Sequence, residues 1–290
     1  MKKLTVLAPA KLNLALDITG LAENGYHNVD MLMQAVSLYE RVEIAKSSGY
    51  SLRCPGSRLP TDEKNTATKA AAAFFRETGL LAGAEITIHK ATPTRAGMAG
   101  GSADSAAVLA GLNVLYGARL SIGELCQIGQ LVGADVPFCL LGGTARVTGI
   151  GEILTPLPPM PACWFSVAMP CGGTSTPQAY QRYDEQGSPV RPNMKAAQDA
   201  VEKGDLAALC LHMQNALEHA NGGIATRQIR QAFSQCGALA SMMTGSGAAV
   251  FGVFGSEETA RAAASSLSAL VPRTFVLQPV AHGPRIIEKG

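Results

Sequence analysis

"AGMAGGSADSAA", residues 96–107, gathers Gly97, Gly100 and Gly101 into five positions and then runs straight into an apolar stretch. Glycine tolerates positive φ and lets other groups approach the backbone closely. Val108, Leu112 and Leu115 follow at the i, i+4, i+7 spacing of a helix, which Gly117 ends. A glycine loop that becomes a helix offers unpaired backbone N–H groups at the positive end of a helix dipole, a natural seat for phosphate. The common phosphate motifs do not fit, because no lysine follows the glycines and no G-x-G-x-x-G follows a strand. Taken alone, the stretch reads first as a tight strand-to-helix loop and only second as an anion nest.

Around it, strands and helices are mixed. Residues 4–19, 36–45 and 84–90 alternate and read as strands. "NTATKAAAAFFRETG" (65–79) reads as a helix stopped by Gly79, and Ser121 with Glu124 forms a capping box for the helix after Gly117. From about residue 150 the character shifts. "LTPLPPMPA" (154–162) reads as a proline-rich connector, "CWFSVAM" (163–169) as a strand, and "MPCGGTSTPQAY" (169–180) as a loop entering a helix. Helices are expected at about 193–203, 205–219 and 226–236, a strand at 248–254, a helix capped by Ser256 and a last strand at 273–280. Without regular βαβ alternation this is an α+β chain in two halves, 1–155 and 156–290, sharing a cleft.

The bulk properties narrow the function. The chain has 290 residues and 47% apolar content, enough for a sizeable core. A formal charge of +2, with only a thin cluster at Arg227 and Arg230, points to no nucleic-acid groove and no polybasic membrane patch. Seven widely spaced cysteines without C-x-x-C suggest neither a disulfide framework nor a zinc site. Pro9, Lys11, Asn13 and Asp17 break the apolar N-terminus, so no signal peptide or membrane span is expected. A cytoplasmic protein, monomeric or weakly dimeric, is the expectation.

The full string from Pro93 to Ala107 resembles the ATP loop of the GHMP kinases, small-molecule kinases of galactose, homoserine and mevalonate. "APAKLNLALDITG" (8–20) is similar to that family's first motif and "MTGSGAAVFGVF" (243–254) to its third. The resemblance implies a two-domain GHMP kinase fold, with ATP as co-substrate and Mg²⁺ carried with it rather than held in a protein cage. "GYHNVDMLMQAVSL" (25–38), "VGADVPFCLLGGTARVTGIGEILTPL" (132–157) and "TSTPQAY" (174–180) resemble members that act on a cytidine-diphosphate-linked sugar alcohol.

It also implies residue roles. Asp135, by itself an ordinary acid beside Pro137, would accept the proton of the attacking hydroxyl. Lys11 would stand beside it, since an ammonium favours the charged form of a neighbouring carboxylate and steadies a developing alkoxide. Pro93, Thr94, Arg95, Ala96, Gly97, Met98, Ala99, Gly100, Gly101, Ser102, Ala103 and Ser105 would form the ATP site, with Ser102 and Ser105 supplying hydroxyls for phosphate or Mg²⁺. Asp104 reads only as a first-turn acid favouring the helix dipole. Asn65 reads equally as a helix N-cap and as a contact to ATP. Tyr26 and His27 would meet the cytosine, Asn13 the sugar alcohol or its diphosphate, and Thr176 and Tyr180 the far side of that nucleotide. The competing readings are another GHMP kinase, such as one for homoserine, and an inactive binding protein of the same fold.

Overall fold

Two long strands organise the molecule, β1 (Lys3–Leu21) and β2 (His27–Ser47). A computed structural model describes residues 1–23 and 25–290. β1 and β2 pair antiparallel from Lys3↔Ala45 to Leu21↔His27, with the register slipping after Pro9, Asn13 and Ile18. Such slips let a long ribbon bend. β3 (Ser51–Arg53), α1 (Thr66–Thr78), β4 (Gly83–His89), α2 (Gly100–Tyr116), α3 (Ile122–Gln130) and α4 (Val136–Leu141) complete the first helical layer. β5 (Thr144–Gly149) and β6 (Ile153–Leu157) follow and join the same sheet. The middle of β1 is buried on both faces, so Lys11 and Asn13 lie inside the protein and not on a solvent face. Strands covered on both faces lose their polar alternation.

The second half begins with β7 (Trp164–Met169), α5 (Thr176–Gln186), α6 (Met194–Glu202), α7 (Leu206–His212), α8 (Glu218–Asn221) and α9 (Ile224–Gln235). β8 (Ala240–Met243), β9 (Val250–Phe254), α10 (Glu257–Leu267), β10 (Arg273–Leu277) and β11 (Arg285–Lys289) end the chain. The second sheet runs β10-β7-β9-β8 and is antiparallel throughout. β11 returns to the first sheet and pairs with β1. The architecture is α+β. One core lies between the first sheet and α1 to α4, and two more join the other end of β1 and β2 to the second sheet and its helices.

Local signals explain the helices. Asn65, Ser121, Ser175 and Ser256 each accept a first-turn N–H as N-caps, and Gly79 and Gly117 close α1 and α2 in the left-handed conformation. α2 lies very close to the sheet, for a Cβ on Gly111 would stand 2.4 Å from Ile44 Cδ1. Three expectations are corrected. The proline-rich connector contains a real strand, β6, whose Pro156 is tolerated because, among the described residues, β6 pairs only with β5. The helix expected over 205–219 breaks into α7 and α8, because the Leu16 N–H donates to Gln214 O (2.9 Å) and the Ala216 N–H to Leu16 O (2.8 Å). The last strand stops at Leu277, short of 280. Among the described residues no helix is long and apolar enough to cross a membrane, and all seven cysteines are free.

Candidate active site

The three glycine-bearing motifs meet at one place. Ala248 and Ala249 donate their N–H groups to Arg95 O and Ala96 O, each at 3.2 Å, and the Lys11 N–H donates to Met98 O at 3.2 Å. The Thr244 hydroxyl accepts the Asn13 N–H (3.0 Å) and donates to Gly97 O (3.3 Å). Gly97 has φ 75° and leaves no room for a side chain, since a Cβ would fall 2.0 Å from Thr244 O. The loop then enters α2 at Ala99, itself left-handed (φ 56°), with no side chain capping the helix start. An uncapped first turn keeps its N–H groups available to an anion.

This loop floors a cleft of about 1010 Å³. Its walls include Lys11, Asn13, Tyr26, His27, Asn65, Pro93 through Ser102, Asp135, Thr176 and Tyr180. Ala103 and Ser105 do not reach it. Ala103 is wholly buried, with its N–H donated to Ala99 O (2.9 Å), and the buried Ser105 hydroxyl donates to Gly101 O at 3.0 Å. Both lie within α2, whose winding turns them away from the cleft.

Lys11 is the buried charge of the site, with its side chain 5% exposed. Nζ donates to Asn13 Oδ1 at 2.5 Å and lies 3.8 Å from Asp135 Oδ2. Asp135 stands immediately before α4 and is one-third exposed (33%), open to the cleft. Asn13 is fully buried, and its Nδ2 donates to Met31 Sδ (3.3 Å), so its amide is engaged in holding Lys11. Asn215 braces the other wall by donating to Met243 O and Gly245 O, each at 2.8 Å. Gly245 (φ 54°) closes on the lysine, as a Cβ there would sit 3.2 Å from Lys11 Nζ.

On another wall of the cleft, His27 opens β2 and Tyr26 stands exposed. His27 stacks on Tyr180, with ring centroids 4.6 Å apart. The Thr176 hydroxyl lies 3.3 Å from Ser246 Oγ, tying α5 to the third motif. Burial, with the charge of Asp135 adding to it, pushes the Tyr180 phenol well above its usual range, so it stays neutral. Asn65 accepts the Ala67 N–H (2.9 Å) and donates to Pro60 O (2.8 Å), which makes it a helix cap and a loop clamp.

Residues 65–143 match the GHMP kinases N terminal domain and residues 193–273 the GHMP kinases C terminal domain. The chain is 40% identical over 286 residues to the 4-diphosphocytidyl-2-C-methyl-D-erythritol kinase of Carboxydothermus hydrogenoformans, covering 98% of this chain and 99% of that one. This chain belongs to the GHMP kinases. It is 38% identical over 283 residues to the 4-diphosphocytidyl-2-C-methyl-D-erythritol kinase of Alkaliphilus metalliredigens, covering 96% and 97% of the two chains. The crystal structure of a 4-(cytidine 5'-diphospho)-2C-methyl-D-erythritol kinase superposes with a TM-score of 0.80 at 32% identity, covering 95% of this chain and 98% of that one. As a GHMP kinase it takes ATP as co-substrate and phosphorylates a small molecule.

Some features of this GHMP kinase escape a reading of its sequence. Beneath the phosphate loop, Lys90 Nζ contacts Glu40 Oε1 (2.9 Å) and Asp104 Oδ2 (2.6 Å) and donates to Gly100 O (3.2 Å). Glu40 also accepts the N–H groups of Ala91 (2.9 Å) and Thr92 (3.1 Å). Asp104 is therefore more than a first-turn acid. Burial, with Glu40 beside it, outweighs Lys90 and raises its carboxyl to about 7. The three charges lie 14 to 64 residues apart in the chain, so no local pattern announces them. Asp184 is a further such residue, on α5 with Oδ1 2.7 Å from His27 Nε2. Among the described residues no group of three or more His, Cys, Asp or Glu is placed to hold a metal ion.

Proposed function

We infer that this GHMP kinase is a 4-diphosphocytidyl-2-C-methyl-D-erythritol kinase. It transfers the γ-phosphoryl group of ATP to the 2-hydroxyl of its acceptor, in the non-mevalonate route to isoprenoid precursors. The observation that carries this is the Lys11–Asp135 pair at 3.8 Å, which lines one cleft together with an uncapped glycine loop and Tyr26 and His27. The near-full-length likeness to relatives bearing that activity supports the choice of acceptor.

Phosphoryl transfer asks a protein for positioning and charge neutralisation more than for covalent chemistry. The N–H groups of Gly97 to Ser102 cradle the β- and γ-phosphates. The acceptor oxygen attacks the γ-phosphorus as its proton passes to Asp135, and the bond to the β,γ-bridging oxygen breaks to release ADP. Lys11 holds positive charge beside both the base and the oxygen that is losing its proton. Magnesium carried with ATP would neutralise phosphate charge when bound. Among the residues lining the cleft, the Ser102 hydroxyl would be available to such an ion. Tyr26 and His27 take the cytosine end, with Thr176 and Tyr180 beyond them. Residues 1–155 form the nucleotide half and 156–290 the other, with β11 returning to the sheet of the first half.

The test is ADP release by the purified protein with the cytidyl acceptor, homoserine and mevalonate in parallel. Turnover with the first alone is expected. Preference for homoserine would replace this reading with the rival kinase, and no turnover on any acceptor would leave an inactive binding protein.

A further inference from the structure

His27 is held from three sides by α5. Asp184 Oδ1 lies 2.7 Å from Nε2. Tyr180 stacks on the ring at 4.6 Å and 27°, and Tyr183 meets it edge-on at 6.5 Å and 88°. Tyr180 and Asp184 are four residues apart in one helix, so they share a face and grip one ring together. The His27 side chain is 15% exposed and borders the cleft, whereas Asp184 is 56% exposed.

An ionised carboxylate only accepts hydrogen bonds, so Nε2 must be the donor. In a neutral imidazole the proton on Nε2 leaves the lone pair on Nδ1. We propose that Asp184 is a positioning residue that locks His27 in this tautomer, so that Nδ1 accepts from the 4-amino group of a cytosine. The proposal rests on the cytidyl-acceptor reading given above and names what selects the base. Cytosine carries an amino donor at C4 where uracil carries a carbonyl acceptor. Facing Nδ1, the uracil oxygen sets acceptor against acceptor, and a site built to receive a donor rejects the analogue that lacks one.

The Asp184→Leu variant tests this, with KM and kcat measured on the cytidyl acceptor and its uridyl analogue. KM for the cytidyl acceptor should rise about 3- to 10-fold, the worth of one hydrogen bond, with kcat and KM for ATP unchanged. The preference for cytidyl over uridyl acceptor should shrink by a similar factor. Asp184→Asn keeps an oxygen that can accept from Nε2–H and should restore most of both. Long-range ¹⁵N–¹H correlation of the His27 ring should show a single Nε2–H tautomer in the wild type and a mixture in the leucine variant. An Nδ1–H tautomer or an imidazolium in the wild type would overturn the proposal, as would an unchanged cytidyl-to-uridyl ratio in the leucine variant. If the wild type turned over neither acceptor, the assigned activity would fall, while the ¹⁵N experiment would still decide the tautomer.

Discussion

Replacing Lys11 by methionine removes one charge and keeps most of the volume. The perturbation is local, because the backbone N–H bond from residue 11 to Met98 O (3.2 Å) survives the change. At the 3.8 Å separation of Lys11 Nζ and Asp135 Oδ2, Coulomb's law with an effective dielectric of ~20 gives about 4 kcal/mol. Asp135 is 33% exposed, and solvent screening brings this to about 2 kcal/mol. As the base takes up its proton this attraction passes to the acceptor oxygen and the transferring phosphoryl group, which gain negative charge near the same ammonium, so about 2 to 4 kcal/mol of transition-state stabilisation is at stake. With each 1.4 kcal/mol worth about tenfold, kcat should fall about 10²- to 10³-fold. KM for ATP should stay within about threefold, because the phosphate cradle is made of backbone N–H groups that remain in place. Asn13 Oδ1 loses its donor, so stability should drop by about 1 kcal/mol. A coupled ADP-release assay on Lys11→Met, with a thermal melt as control, reads all three quantities. A folded variant with kcat within tenfold of wild type would refute the assignment of Lys11 to the charge balance of transfer.

Two further predictions concern the phosphate loop. Gly97→Ala forces a side chain into left-handed backbone (φ 75°) and within 2.0 Å of Thr244 O. It should cost about 3 kcal/mol from backbone strain and overpacking, seen as a lower Tm and as loss of the protection that ATP gives in the melt. The second concerns pH. Asp104 rises from its ordinary 3.8 to about 7 in the folded protein, so the folded state holds this proton more tightly than the unfolded chain does. Its contribution is therefore fully present below about 4 and lost as pH rises through 7. Asp104→Asn should flatten the decline in urea midpoint between pH 4 and 7, and an unchanged slope in that window would show that another group sets it.

What could be read from the chain followed the range of the interactions. The Ser121–Glu124 capping box and the left-handed closures at Gly79 and Gly117 are written within four residues, and they stand where the spacing put them. The junction of Gly97–Gly101 with α2 is local in the same way. β6 was hidden by its prolines, and β11 pairs with a strand at the other end of the chain, so neither carries a local signal. The break at Asn215 comes from contacts with Leu16, 199 residues away, that override helical propensity. The pairing of Lys11 with Asp135 rested on resemblance, since 124 positions separate them. Asn13 reads as a substrate contact and does line the cleft, while its bonds to Lys11 and Met31 are disclosed by no pattern in "PAKLNLAL". The Glu40–Lys90–Asp104 cluster and Asp184 had no signal, because such groups acquire meaning only when folding brings them together.

In the proposed reaction this cleft moves phosphate from ATP onto one particular hydroxyl. Incubation of the wild-type protein with Mg-ATP and the cytidyl acceptor, followed by ³¹P NMR of the products, tests it most directly. One new phosphomonoester resonance is expected, assigned by its carbon couplings to the 2-hydroxyl and growing in step with ADP. ADP formed alongside free phosphate, or a phosphoester on any other hydroxyl, would contradict it.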